Sequence, residues 1–175
     1  MIVPVLETER LILRPLSVAD AAAVFEWVSD ARVTKFMPYN TYTDVKDVET
    51  WLRSVEEEDT EHHFGFVRKA DGKLIGSGSI GPNEAGDTWE FGYNIRYDCW
   101  NRGYATEASR AMLKHAVGLG VTQFGANHAV DNPASGRVME KCGLHLDHYG
   151  TYTSFDGLRT FNARFYKAAV TELIL

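Results

Sequence analysis

Three features of this 175-residue chain predict an α+β fold, a mixed and largely antiparallel sheet flanked by helices. Short runs with strand alternation and longer runs with helical spacing follow one another along its length. Two Asp-Gly pairs, Asp71-Gly72 and Asp156-Gly157, sit between strand-like runs, where that dipeptide closes hairpins. No internal repeat, linker or low-complexity stretch divides the chain, so residues 1–175 read as a single domain with enough apolar content (45%) for a core.

"RLILRPL" (10–16) reads as a strand with Leu11, Leu13 and Pro15 on one face. Ser17 and Asp20 form a capping box for a helix running to about Ser29. A second helix spans Asp44 to about Glu57, capped by Thr43, with Val45, Val48, Leu52 and Val55 as its apolar stripe. Residues 62–82 read as two strands joined at Asp71-Gly72, and 87–98 as an aromatic-rich strand. Residues 105–120 are helical, with Ala105, Ala108, Met112 and Ala116 on one face and glycines at the end. A strand over 121–130 precedes a short helix over 133–144, with Pro133 in its first turn and Gly143 at its close. The tail gives two strands about Asp156-Gly157.

One stretch breaks the pattern. "WNRGYATEA" (100–108) places an Arg-Gly pair between a strand and the start of the long helix. The first four N–H groups of a helix have no intrahelical partner, and the helix dipole adds partial positive charge there. Gly103 permits a tight turn that aims several N–H groups at one point, while Arg102 adds a fixed charge at the rim. Such a turn suits a phosphate or pyrophosphate; an ordinary surface turn would use the same residues. Neither GxxxxGK[ST] nor GxGxxG is present.

In its order of elements and its motifs, the chain resembles the GNAT acetyltransferase superfamily. "WNRGYA" (Trp100 to Ala105) is similar to that family's Q/R-x-x-G-x-G/A loop, with Trp100 in the first place. "NPASGRVMEKCGL" (132–144) is similar to its N-x-x-S-x-x-x-x-E-K-x-G-F signature, with Leu144 for Phe. Trp100, the N-x-x-S form and the opening "ETERLILRPL" resemble the branch holding ribosomal-protein N-terminal (Rim-type) and polyamine acetyltransferases. The resemblance implies acetyl-CoA as cosubstrate. Tyr93, Asn94 and Ile95 would contact it from a strand, and Trp100, Asn101, Arg102, Gly103, Tyr104, Ala105 and Thr106 from the loop. Asn132 would bond the pantetheine arm and Ser135 would lie near the sulfur. Asn132 also suits an Asn-Pro turn capping the next helix.

Acetyl transfer to an amine requires a neutral nucleophile. Deprotonating an alkylammonium of pKa about 10.4 costs roughly 4.6 kcal/mol at pH 7, against about 1 for an α-amine near 7.8. The resemblance implies Glu90 as the base, direct or through water. Alternation puts Glu90, Gly92 and Asn94 on one face and Trp89, Phe91 and Tyr93 on the other, unless a bulge of the kind usual in the family reverses the register after Gly92. Many relatives carry a Tyr where this chain has Met139, and Met donates no proton. Protonation of the leaving thiolate then falls to Ser135 or to water.

Cys142 reads as a packed small hydrophobe, not a nucleophile. Cys142, His145 and His148 recur by threes, but a strand after Gly143 splits them between faces, so no metal is expected. His62 and His63 read as surface residues. The resemblance makes residues 35–42 and 149–155 walls of the acceptor pocket. A net charge of −6 argues against a nucleic-acid partner, and no membrane partner is indicated. Two cysteines without a framework, and no secretory pattern, indicate a cytoplasmic setting. The acceptor reads as a peptide N-terminus or a small amine, and a homodimer is allowed. A non-catalytic acyl-CoA-binding module is the competing class.

Overall fold

The computed structural model describes residues 3–175. Eight strands form one sheet in the order β1-β2-β3-β4-β5-β6-β8-β7. They span Leu6–Glu7, Leu11–Pro15, His62–Arg68, Lys73–Pro82, Trp89–Ile95, Gln123–Ala129, His145–Thr153 and Thr160–Ala169, numbered β1 to β8 along the chain. The helices are α1 (Ala21–Val28), α2 (Ala31–Thr34), α3 (Val45–Glu57), α4 (Tyr104–Gly118) and α5 (Pro133–Lys141). Every ladder is antiparallel except β5–β6.

The sheet separates two cores. Beneath α4 and α5, Leu11, Leu13, Phe64, Phe66, Ile75, Phe91, Met112, Leu113, Phe124 and Met139 pack together. On the opposite face, Leu16, Val24, Trp27, Val48, Leu52 and Leu74 hold α1 and α3 against β2 to β4. Each helix buries the stripe its spacing dictates: Ala108, Met112 and Ala116 on α4, Val48 and Leu52 on α3. Gly72 and Gly157 close the two hairpins at φ of +68° and +74°, a region where glycine carries no Cβ penalty.

Several expectations shift. Leu11 and Leu13 are fully buried but Pro15, at the strand's end, faces solvent. The first helix opens with a separate 3-10 turn (Val18–Asp20), and Asp20 Oδ2 accepts from Ser17 N at 2.9 Å. Asp44, not Thr43, caps α3: it is the last extended residue before the helix, and its Oδ1 accepts from Lys46 N at 2.9 Å. No bulge interrupts β5, whose pairing with β4 runs in step from Trp89↔Pro82 to Ile95↔Gly76. His62 is buried rather than on the surface, since β3 begins there and carries it beneath the last turns of α4. Its Nδ1 lies 2.8 Å from His115 Nε2.

Candidate active site

The β5–β6 pair positions everything that follows. These parallel strands share only Trp89↔Phe124 and Glu90↔Gly125. Beyond Glu90 the ladder stops, so β5 and β6 present backbone N–H and C=O groups that neither strand satisfies across the gap. Such groups are costly to leave unpaired and can accept an extended amide chain as a further strand. Helices α4 and α5 both begin past the carboxyl ends of this parallel pair, the place where open sheets of this kind hold ligands.

At the start of α4 the loop is held in an unusual shape. Asn101 has φ +58° and Gly103 has φ +81°, and Gly103 is the N-cap with no side-chain capping bond. These two left-handed positions curl the backbone into a hollow just ahead of the first turn of α4, whose N–H groups have no intrahelical partner. Trp100 pins the entry to this loop, its indole Nε1 donating to Ile95 O at 2.8 Å. Of the loop residues, Asn101, Arg102 and Gly103 are exposed, Ala105 is half-buried, and Tyr104 and Thr106 point into the core.

Arg10, which the sequence reading did not single out, is the loop's clamp. Its Nε donates to Glu107 Oε2 at 2.7 Å and its Nη1 to Arg102 O at 2.8 Å, and its guanidinium lies 4.4 Å from the Tyr104 ring centre. Glu107 Oε1 also accepts from Thr8 Oγ1 at 2.7 Å and Arg10 N at 2.8 Å. Burial alone would raise the Glu107 pKa, but these donors outweigh it and lower it. No short motif announces such a clamp, because its partners are almost a hundred residues apart.

Asn132 opens α5 but its side chain makes no capping bond, so the amide is free of that duty; its own N–H donates to Ala129 O at 2.9 Å. Ser135 follows in the first turn, with its Oγ 3.1 Å from the Tyr93 hydroxyl of β5. Met139 and Cys142 lie one and two turns further on and are buried. Cys142 is packed in apolar surroundings that push its thiol up to about 11, well away from a thiolate nucleophile. His145 and His148 are exposed on β7 beside Glu172 and Asp147, apart from Cys142.

The opposite face of β5 carries the polar set. Glu90 and Gly92 are exposed and Asn94 half-buried, while Phe91 and Ile95 face the α4 core. Glu90 stands between two glycines, Gly81 of β4 and Gly125 of β6. A Cβ on Gly125 would come within 3.5 Å of Glu90 Cγ, whereas one on Gly92 would meet nothing within 4 Å. Burial first, then the charge of Glu61, raises the Glu90 pKa above the ordinary glutamate value. Asn94 is already engaged: its Nδ2 donates to Ser77 Oγ at 2.8 Å and its Oδ1 accepts from Tyr39 OH at 2.5 Å.

The two aromatic stretches meet beside this face. Tyr152 OH donates to Phe36 O at 2.5 Å, Phe155 N to Pro38 O at 2.9 Å, and Arg159 Nη2 to Tyr39 O at 3.0 Å. The β7–β8 hairpin and the loop after α2 therefore form one continuous wall.

The parallel pair thus opens beyond its second rung, with two helix N-termini at its mouth. The profile described as Acetyltransferase (GNAT) domain matches residues 10–145, and the chain belongs to that family. Among curated proteins it is 29% identical to the N-acetyltransferase YoaA of Bacillus subtilis, over 82% of this chain and 84% of that one. A GNAT-family acetyltransferase from Bacillus anthracis superposes with a TM-score of 0.84 at 24% identity, covering 95% of this chain and 98% of that one. Spermidine N-acetyltransferase from Vibrio cholerae, solved with CoA and spermine, superposes at 0.80 and 17% identity, covering 94% of this chain and 98% of that one. The chain is thus an acyltransferase. Among the described residues no helix is long and apolar enough to cross a membrane.

Proposed function

We propose that this chain moves an acetyl group from acetyl-CoA directly to a primary amine, with Glu90 as base and Ser135 beside the sulfur. The observation that carries this reading is the opened β5–β6 pair. The stretch of β5 along Tyr93, Asn94 and Ile95 that no longer pairs with β6, the unengaged Asn132 amide and the hollow at Asn101 to Gly103 fit the amides and pyrophosphate of the cosubstrate. The thioester supplies the acetyl group and a good leaving sulfur. Glu90 takes a proton from the acceptor ammonium on the exposed face of β5, its raised pKa bringing it closer to the amine it serves. Ser135 offers its hydroxyl to the sulfur from the other face.

The acceptor is a peptide N-terminal α-amine, in keeping with the Rim-type branch. Trp100 and the N-x-x-S form of the second signature support that placement. The open floor at Gly92 beneath the aromatic wall supports an acceptor with a chain behind its amine. The likeness to spermidine N-acetyltransferase favours a second reading, a small polyamine acceptor. Work in the cytoplasm suits the two buried free thiols, and assembly as a homodimer is compatible with the exposed edge strand β7. CoA release from acetyl-CoA with short peptides, amino acids, polyamines and aminoglycosides tests the proposal. Turnover of peptides but not polyamines is expected; release with none of these amines would leave an acyl-CoA-binding module instead.

A further inference from the structure

We propose that Tyr93 and Ser135 form a donor chain that stabilises the departing CoA thiolate by hydrogen bonding, so that this chain uses no general acid where relatives carry one. The inference rests on the acetyl-CoA reading above and adds a positioning residue to it. Met139, which occupies the position of that acid, is buried and has no proton to give. The nearest hydroxyls on the same flank of the gap are Ser135 Oγ and Tyr93 Oη, 3.1 Å apart, one on α5 and one on β5.

The direction of that bond follows from the surroundings. Tyr93 projects from β5 into the α4–α5 layer, and its hydroxyl has no hydrogen-bond partner other than Ser135 among the described residues. A phenol proton enclosed without an acceptor is costly, so Tyr93 donates and Ser135 accepts. Ser135 then keeps its own proton free, at the mouth of the opened strands. A hydroxyl that accepts one bond becomes a better donor in the next, which sharpens Ser135 toward a developing negative charge.

Magnitudes decide between donating a bond and giving up a proton. Burial pushes the Tyr93 hydroxyl up to about 12, with only partial relief from Ser135. A thiol sits near 8.5, so full transfer from Tyr93 to the thiolate would run uphill by roughly a thousandfold. Cys142, the other titratable group against Tyr93, is held neutral by burial and supplies no charge. In the step itself the amine nitrogen forms its bond to the acetyl carbon, the C–S bond breaks and its electron pair stays on sulfur. Ser135 holds that thiolate with its O–H intact; of the two protons the ammonium sheds on becoming an amide, the first passes through Glu90 to solvent before attack, and the second, lost from the acylated nitrogen, resides on Glu90 until solvent takes it. The sulfur is protonated by water as CoA leaves.

The test uses bound CoA itself, so that it needs no acceptor. Thiolate absorbance of the enzyme–CoA complex is titrated against pH, with the desulfo-CoA complex as the blank that cancels tyrosine. Wild type should hold the thiol roughly tenfold more acidic than free CoA, one pKa step. Ser135→Ala should return it to the free value, Ser135→Thr should restore the shift, and Tyr93→Phe should abolish most of it. Desulfo-CoA affinity should remain the same throughout. In turnover, Tyr93→Phe should lower kcat about tenfold with the KM for acetyl-CoA unchanged, and the double variant should be no slower than Ser135→Ala. A Tyr93→Phe complex that titrates with wild type, or losses that multiply in the double variant, would overturn the chain. A persistent thiol shift without CoA release from any amine would instead sink the transferase reading while leaving the donor chain in place.

Discussion

The N-termini of α4 and α5 lie at the same end of the same parallel strand pair, yet they are built by opposite rules. Neither is capped by a side chain. At α4 the loop is fixed from outside: Arg10 and Glu107 tie it to β2, Trp100 ties it to β5, and two left-handed residues curl its backbone. At α5 the loop is stiffened from within by Pro133, the Asn132 side chain makes no capping bond, and Ser135 Oγ meets the Tyr93 hydroxyl of β5. A rigid backbone hollow suits a ligand part whose charge does not change during reaction. Free polar side chains suit the part where charge develops. The α4 side should therefore govern KM for acetyl-CoA, and β5 with the α5 side should govern kcat.

Glu90→Gln gives the largest expected effect. Turnover should fall about a hundredfold or more, with acetyl-CoA affinity unchanged by calorimetry. Because the Glu90 pKa is raised, its base form is lost at higher pH than an ordinary glutamate would lose it, so the acid limb of kcat should sit above the usual glutamate range. The sign for stability runs the other way. A raised carboxylate pKa gives stability that is present at low pH and lost as pH rises through it, so Glu90→Gln should melt at or above the wild-type temperature at neutral pH. Wild-type turnover by Glu90→Gln at pH 7 would remove the base from β5 and break the division of labour.

Next comes Gly103→Val. At φ +81° a β-branched residue is strained, and its Cβ would stand 3.2 Å from Arg10 Nη2, displacing the clamp. Affinity for acetyl-CoA should fall at least about tenfold, or about 1.4 kcal/mol. Unchanged affinity in a variant whose circular dichroism shows it folded would dissociate the loop from the cosubstrate.

Arg10→Ala sharpens the same side more gently. Its side chain is 41% exposed, so a rise of roughly threefold in KM is expected, with kcat retained. The variant should also be less stable than wild type at neutral pH. The net lowered pKa of Glu107 gives stability that is present above the ordinary carboxylate range and lost as pH falls through the lowered value. Melting curves of wild type and Arg10→Ala should therefore converge toward low pH. A kcat loss without a KM change would show that the clamp serves chemistry instead.

Cys142→Ala should change least. Kcat should stay within about twofold, while unfolding free energy drops by about 1 kcal/mol for the small cavity left in the α5 layer. An acetyl adduct on Cys142 in the mass spectrum would replace direct transfer with a covalent route.

The chain's local chemistry determined the elements and much of the site. Spacing of Val48 with Leu52, and of Ala108 with Met112 and Ala116, marked the buried helix stripes, because a helix repeats every 3.6 residues whatever it packs against. Alternation along β5 separated Glu90, Gly92 and Asn94 from Phe91 and Tyr93, and an unbroken register kept that separation. Gly103 announced the loop through its own backbone freedom. What needed tertiary structure was every contact made between distant segments. Arg10 reaches Glu107 only because β2 lies beneath α4; His62 is buried only because β3 starts under the same helix; Tyr93 meets Ser135 only because β5 and β6 part. A side chain's local spacing records which face it is on, but its partner across a gap is set by how sheet and helices close around it.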